Sequence, residues 1–80
     1  MKNQHIATEI GSIIRKIRVA QNLSQEDLAD RCELHRTYIG SLERAEKVAS
    51  ILTLERVAKA LDVSLSEIFR QYEVNKNIKK

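Results

Sequence analysis

Proline and tryptophan are absent from this 80-residue chain, which holds one cysteine, two glycines and three aromatic residues. With no proline and so little glycine, and with β-branched residues at helical rather than alternating spacing, the sequence favours an all-α domain. The single Cys32 excludes an internal disulfide, and it reads as a small core residue rather than a redox switch. His5 and His35 are too far apart in sequence to mark a metal site, and no cysteine–histidine cluster has ligand spacing, so no metal or cofactor is expected. No apolar run exceeds three residues, which excludes a membrane-spanning helix, and the N-terminus has no signal-peptide core. A cytoplasmic protein is the plain expectation. Clustered carboxylates, a nucleophile with a base at suggestive spacing and a phosphate-cradling glycine loop are all missing, which makes an enzyme the weakest reading.

The formal charge of +3 comes from 14 basic and 11 acidic side chains. Residues 1–73 hold eleven of each, so the surplus is Lys76, Lys79 and Lys80. Net charge therefore says little about nucleic acid; its placement says more. Residues 1–73 read as one small domain, near the size at which a single core is marginal, which raises the expectation of a dimer. Residues 74–80 read as a basic, frayed tail.

Five helices emerge from periodicity and caps. Ile6, Ile10, Ile13, Ile14 and Ile17 form one stripe of the first, which should end near Gln21 with Asn22 in the left-handed cap. Ser24 caps the second, Asp27 reaching back, with Leu28, Ala29 and Cys32 buried. The third lies within "LHRTYIGSLER", Leu34–Arg44. A fourth begins at Ser50 or Thr53, buries Leu54, Val57, Ala58 and Leu61, and stops at Asp62. The fifth opens with the capping box Ser64–Glu67 and presents Leu65, Ile68, Phe69 and Tyr72.

On a helical wheel the third helix places Tyr38, Ile39 and Leu42 on one side and Arg36, Thr37, Gly40, Ser41 and Arg44 on the other. That outer face has no acid and no large apolar group. Its arginine, short hydroxyls and bare backbone suit a major groove, with Gly40 keeping the helix surface low against the DNA. A solvated face with an inconsequential glycine is the alternative.

Around it, "QEDLADRCELHRTYIGSLER" fits two helices joined by a tight turn at Cys32–Leu34, with the small Ala29 at their crossing. Together with "IRKIRVAQNLSQEDLA" and "LTLERVAKALDVSLSEIF", it resembles the phage repressor and Cro (xenobiotic-response-element) family of helix-turn-helix domains. Within that family the chain is most similar to restriction–modification controller proteins. The resemblance covers roughly residues 10–70 and implies a five-helix lambda-repressor-like fold. Three departures stand out: Glu33 at a turn position often held by glycine, Ala45 after the "ER" pair, and "KVAS" without the frequent proline.

By this resemblance Arg36, Thr37 and Ser41 read bases, although the short hydroxyls equally suit phosphate or water. Gln25 is the phosphate-anchoring glutamine. His35 touches phosphate or merely caps, Tyr38 packs its ring while its hydroxyl reaches phosphate, and Arg44 and Lys47 follow the backbone or stay solvated. Arg18 and Glu43 align with a partly buried ion pair. Leu52 falls outside the inner stripe of the fourth helix, and with Val48, Ile51 and Phe69 it forms an apolar patch where the family places its dimer contact. The implied protein is a homodimer on a palindromic operator in double-stranded DNA, with two dimers able to occupy adjacent sites. It would control its own gene and a neighbouring endonuclease gene, and an activator would also need RNA polymerase. A phage-type repressor, an antitoxin of the same fold and a protein-binding adaptor are the competing readings.

Overall fold

The computed structural model describes residues 5–78; Met1–Gln4, Lys79, Lys80 and the side chains of His5, Asn77 and Ile78 lie outside that description. Its elements are α1 (His5–Ala20), α2 (Gln25–Cys32), α3 (Arg36–Glu43), α4 (Ile51–Ala60) and α5 (Leu65–Ile78). No strand occurs among the described residues.

Helices α2 to α5 each start where a hydroxyl or ring nitrogen meets a free amide. The Ser24 hydroxyl accepts from the Asp27 amide while the Asp27 carboxylate accepts from the Ser24 amide, a complete capping box. Those bonds, the backbone one above all, hold the Asp27 carboxyl below its ordinary value. Ser50 caps α4 through the Thr53 amide. At α5 the Ser64 hydroxyl takes the Glu67 amide, while the Glu67 carboxylate is engaged by Arg70 and Gln71.

Helices α1 to α4 end in one motif, built without a single glycine. Asn22, Glu33, Ala45 and Asp62 have φ of 62, 60, 63 and 60°. After each, the next amide reaches back to a carbonyl five residues earlier, as Leu23 does to Arg18, Leu34 to Ala29, Glu46 to Ser41 and Val63 to Ala58. Satisfying these orphan carbonyls offsets a left-handed backbone that costs roughly 1–2 kcal/mol in residues with a Cβ.

The core joins Ile13 and Ile14 of α1, Leu28 of α2, Ile39 of α3, Val57 and Leu61 of the α4 segment and Ile68 of α5, all essentially sealed from solvent. Cys32 belongs to this core, and burial pushes its thiol pKa up, away from the reactive thiolate. Ile6 stands apart from its stripe, 45% exposed. Helix α5 runs past Val74 to Ile78. Lys76 lies one turn beyond Tyr72, with its ammonium 5.8 Å from the ring centroid, and a cation in the last turn also suits the helix dipole.

Candidate nucleic-acid interface

Helix α3 is set by a joint with α1. Gly11 and Arg18 are seven residues apart, hence on one face of α1, and both meet the end of α3. A Cβ on Gly11 would stand 2.5 Å from the Leu42 carbonyl oxygen and 2.9 Å from that of Glu43, so the two backbones touch there. One turn on from Ile14, the Arg18 Nε donates to Glu43 Oε2 at 2.7 Å and its Nη2 to Oε1 at 3.1 Å. Arg18 Nη1 also donates to the Leu23 carbonyl at 2.7 Å. Both partners are buried, with side-chain exposures of 9% and 2%.

The Glu43 carboxylate also holds Gln25. The Gln25 amide nitrogen donates to Glu43 Oε1 at 3.0 Å, which brings the first residue of α2 against α3. A rigid chain thus runs from Arg18 through Glu43 to Gln25. It leaves the other amide hydrogen of Gln25, and the open amides at the start of α2, for a ligand outside.

Arg36 and Thr37 are exposed at the first turn of α3. Arg36 borders a shallow hollow with Glu26, Asp30 and His35, and its guanidinium has no ion pair among the described residues. His35 is the N-cap: its Nδ1 accepts the Thr37 amide at 3.0 Å. The ring nitrogen is therefore spent on the helix start. Tyr38 is half-buried against the core.

The wheel's outer face is corrected at two positions. Gly40 and Ser41 are both buried, Ser41 retaining only 9% exposure. In the free protein the nearest atoms to Gly40 come from the chain itself. A Cβ there would stand 3.1 Å from Arg44 Nη1 and 3.3 Å from Gln25 Oε1. A wheel shows which residues share a face, but not which long side chains from elsewhere lie across it. Arg44 folds back over Gly40 and is bidentate to Glu46, Nε–Oε2 2.9 Å and Nη2–Oε1 3.0 Å. Hydrogen bonds from Arg44 hold the Glu46 carboxyl below its ordinary value, and the Ser41 hydroxyl adds to that pull. Glu46 and Gly11 went unnoticed in the sequence. The spacing Gly11–Ile14–Arg18 carried a signal for the second, and nothing local marked the first.

The apolar residues named at the sequence level also gather. Val48, Ile51 and Leu52 are 70, 61 and 74% exposed. Val48, Ile51 and Phe69 line an open groove of about 330 Å³ with Ile6, Ala7 and Leu54, and Leu52 lies outside it. Lys47 sits at its rim. Among the described residues no group of His, Cys, Asp and Glu is placed to hold a metal ion, and no helix is long and apolar enough to cross a membrane.

Two short packed helices, the first with Ala29 buried and the second carrying exposed Arg36 and Thr37 on a locked base, define a helix-turn-helix protein. The helix-turn-helix family model matches residues 14–68. Control protein C.BamHI of Bacillus amyloliquefaciens is 42% identical over 59 residues, which cover 72% of this chain and 73% of that protein. C.MunI of a Mycoplasma species is 35% identical over 69 residues, 85% of this chain and 93% of the other. The wild-type restriction–modification controller protein C.Esp1396I superposes with a TM-score of 0.85 at 33% identity, covering 95% of this chain and 97% of its own. The same protein as a tetramer with its natural 35-base-pair operator gives 0.82 at 36% identity, covering 95% and 97%. The chain belongs to the helix-turn-helix family of transcriptional regulators, among the restriction–modification control proteins.

Proposed function

We propose that this chain binds a palindromic operator in double-stranded DNA as a homodimer and regulates its own gene together with a neighbouring restriction endonuclease gene. The carrying observation is Arg36, exposed at the first turn of α3 and without an ion pair among the described residues, with Thr37 beside it. A guanidinium there can take guanine bidentately while threonine meets a thymine methyl. Ser41, one turn on and 9% exposed in the free protein, is the third base contact of this reading. Gln25, held by Glu43, sets register on phosphate, with Tyr38, Arg44 and Lys47 along the backbone and His35 acting as the cap. The protein acts in the cytoplasm, without enzymatic activity, and activation draws on a contact with RNA polymerase. C.Esp1396I, seen as a tetramer on its operator, supports two dimers on adjacent sites.

The test is selection from genomic fragments at physiological salt with wild type beside Arg36→Ala. Wild type should enrich a palindrome upstream of its own gene. The variant should lose roughly 5- to 150-fold in affinity per half-site and relax at the base that Arg36 reads. Equal choice of the same sequence by both proteins would end the base-reading role.

Dimerisation supplies a second expectation. The exposed Val48, Ile51 and Leu52 form a patch that one protomer leaves uncovered. Ile51→Glu should sediment as a monomer where wild type is a dimer, with helical circular dichroism unchanged. A dimeric Ile51→Glu would move the interface elsewhere.

A further inference from the structure

Arg44 and Glu46 are two positions apart, a spacing that would set them on different sides of a continuous helix. They face each other because Ala45 takes φ 63° and turns the chain back, the Glu46 amide reaching the Ser41 carbonyl at 2.8 Å. The result is a fork-on-fork contact through Arg44 Nε and Nη2. Both side chains remain more than half exposed, 58 and 57%. The bare backbone at Gly40 gives the rest of the guanidinium its resting place.

A phosphate approaching Arg44 seeks the parallel N–H pair that the Glu46 carboxylate already holds. Bound there, it would also lie beside a like charge, well within the ~8 Å Debye length at physiological salt. We propose that Glu46 is a built-in competitor for DNA phosphate, which occupies Arg44 in the free protein and must be displaced before Arg44 grips the backbone. This rests on the reading of Arg44 as a phosphate contact. Binding to arbitrary duplex is almost wholly electrostatic, so such a competitor lowers it directly. A duplex that also satisfies Arg36 and Thr37 has base contacts to offset the displacement. Glu46 therefore sets a threshold that keeps the protein off bulk DNA.

The experiment is a double-mutant cycle of Arg44→Ala and Glu46→Gln, titrated by anisotropy onto a fixed random-sequence duplex at several salt concentrations. Circular dichroism verifies the fold of each variant. Glu46→Gln should bind roughly two- to fivefold tighter per protomer, the range expected when an exposed ion pair no longer has to open. In the Arg44→Ala background that gain should largely vanish. An equal gain in both backgrounds would reduce Glu46 to a general negative charge and overturn the proposal. Weaker binding by Glu46→Gln would overturn it too, because Glu46 would then be positioning Arg44 for the phosphate. Arg44→Ala alone should lower the salt slope by about one. An unchanged slope would remove Arg44 from the phosphate contacts and the competitor with it, while the Arg36→Ala selection still decides the DNA-binding reading on its own.

Discussion

Glu43→Ala is expected to cost roughly 3–5 kcal/mol of folding stability. The carboxylate accepts from Arg18 twice and from Gln25 once, with 2% of its side chain exposed. Its removal strands the Arg18 guanidinium in a site closed to water, with only the Leu23 carbonyl left to it. That is a large share of the margin of a domain whose total stability is on the order of 4–12 kcal/mol. Urea denaturation with an unchanged m-value would measure it. The double replacement Arg18→Met with Glu43→Leu should recover much of the loss, because two apolar groups leave no buried charge unpaired. It should nevertheless bind DNA more weakly than wild type, since Gln25 has lost its anchor. A single-variant cost below about 1 kcal/mol would show that water reaches the pair, and would deny that it locks α3 to α1.

Gly11→Ala is expected to cost about 3 kcal/mol, the upper part of the usual range for overpacking. The added Cβ would meet two backbone carbonyl oxygens at 2.5 and 2.9 Å, and neither can rotate away. Helices α1 and α3 must separate, which also opens the Arg18–Glu43 bonds. Alanine's better helix propensity, about 1 kcal/mol, is too small to compensate. Gly40→Ala is the informative control. There the Cβ would meet only the ends of Arg44 and Gln25, at 3.1 and 3.3 Å, and both can shift. Its stability should be unchanged or slightly higher. Thermal unfolding should separate the two variants by at least 10 °C, taking roughly 4–8 °C per kcal/mol for a domain of this size. Equal melting temperatures would refute the close crossing at Gly11.

The contrast marks how far the chain could be read before its structure. The helices were legible because their signals are local. Ser24 with Asp27, Ser50 with Thr53, and Asn22 and Asp62 as left-handed ends each depend on partners within about one turn. The helical wheel sets Gly40, in the middle of α3, on a face where DNA would lie close to it. Its neighbours proved to be Gln25 and Arg44. Ser41 looked exposed for the same reason, because a wheel gives each residue an azimuth and knows nothing of the turn at Ala45 that brings Glu46 back over that face.

The sequence by itself determined five amphipathic helices, their capped ends, the apolar stripes of the core and the Arg36–Thr37 pair at the start of α3. Period and cap are properties of neighbouring residues and need no tertiary contact. Only the tertiary structure decided that Gly11 is the crossing point, that Glu43 gathers Arg18 and Gln25, and that Glu46 holds Arg44. The first two join positions far apart in the chain, and the third depends on the sign of one φ angle. A helical period carries neither the separation of two packed helices nor the direction in which a turn leaves them.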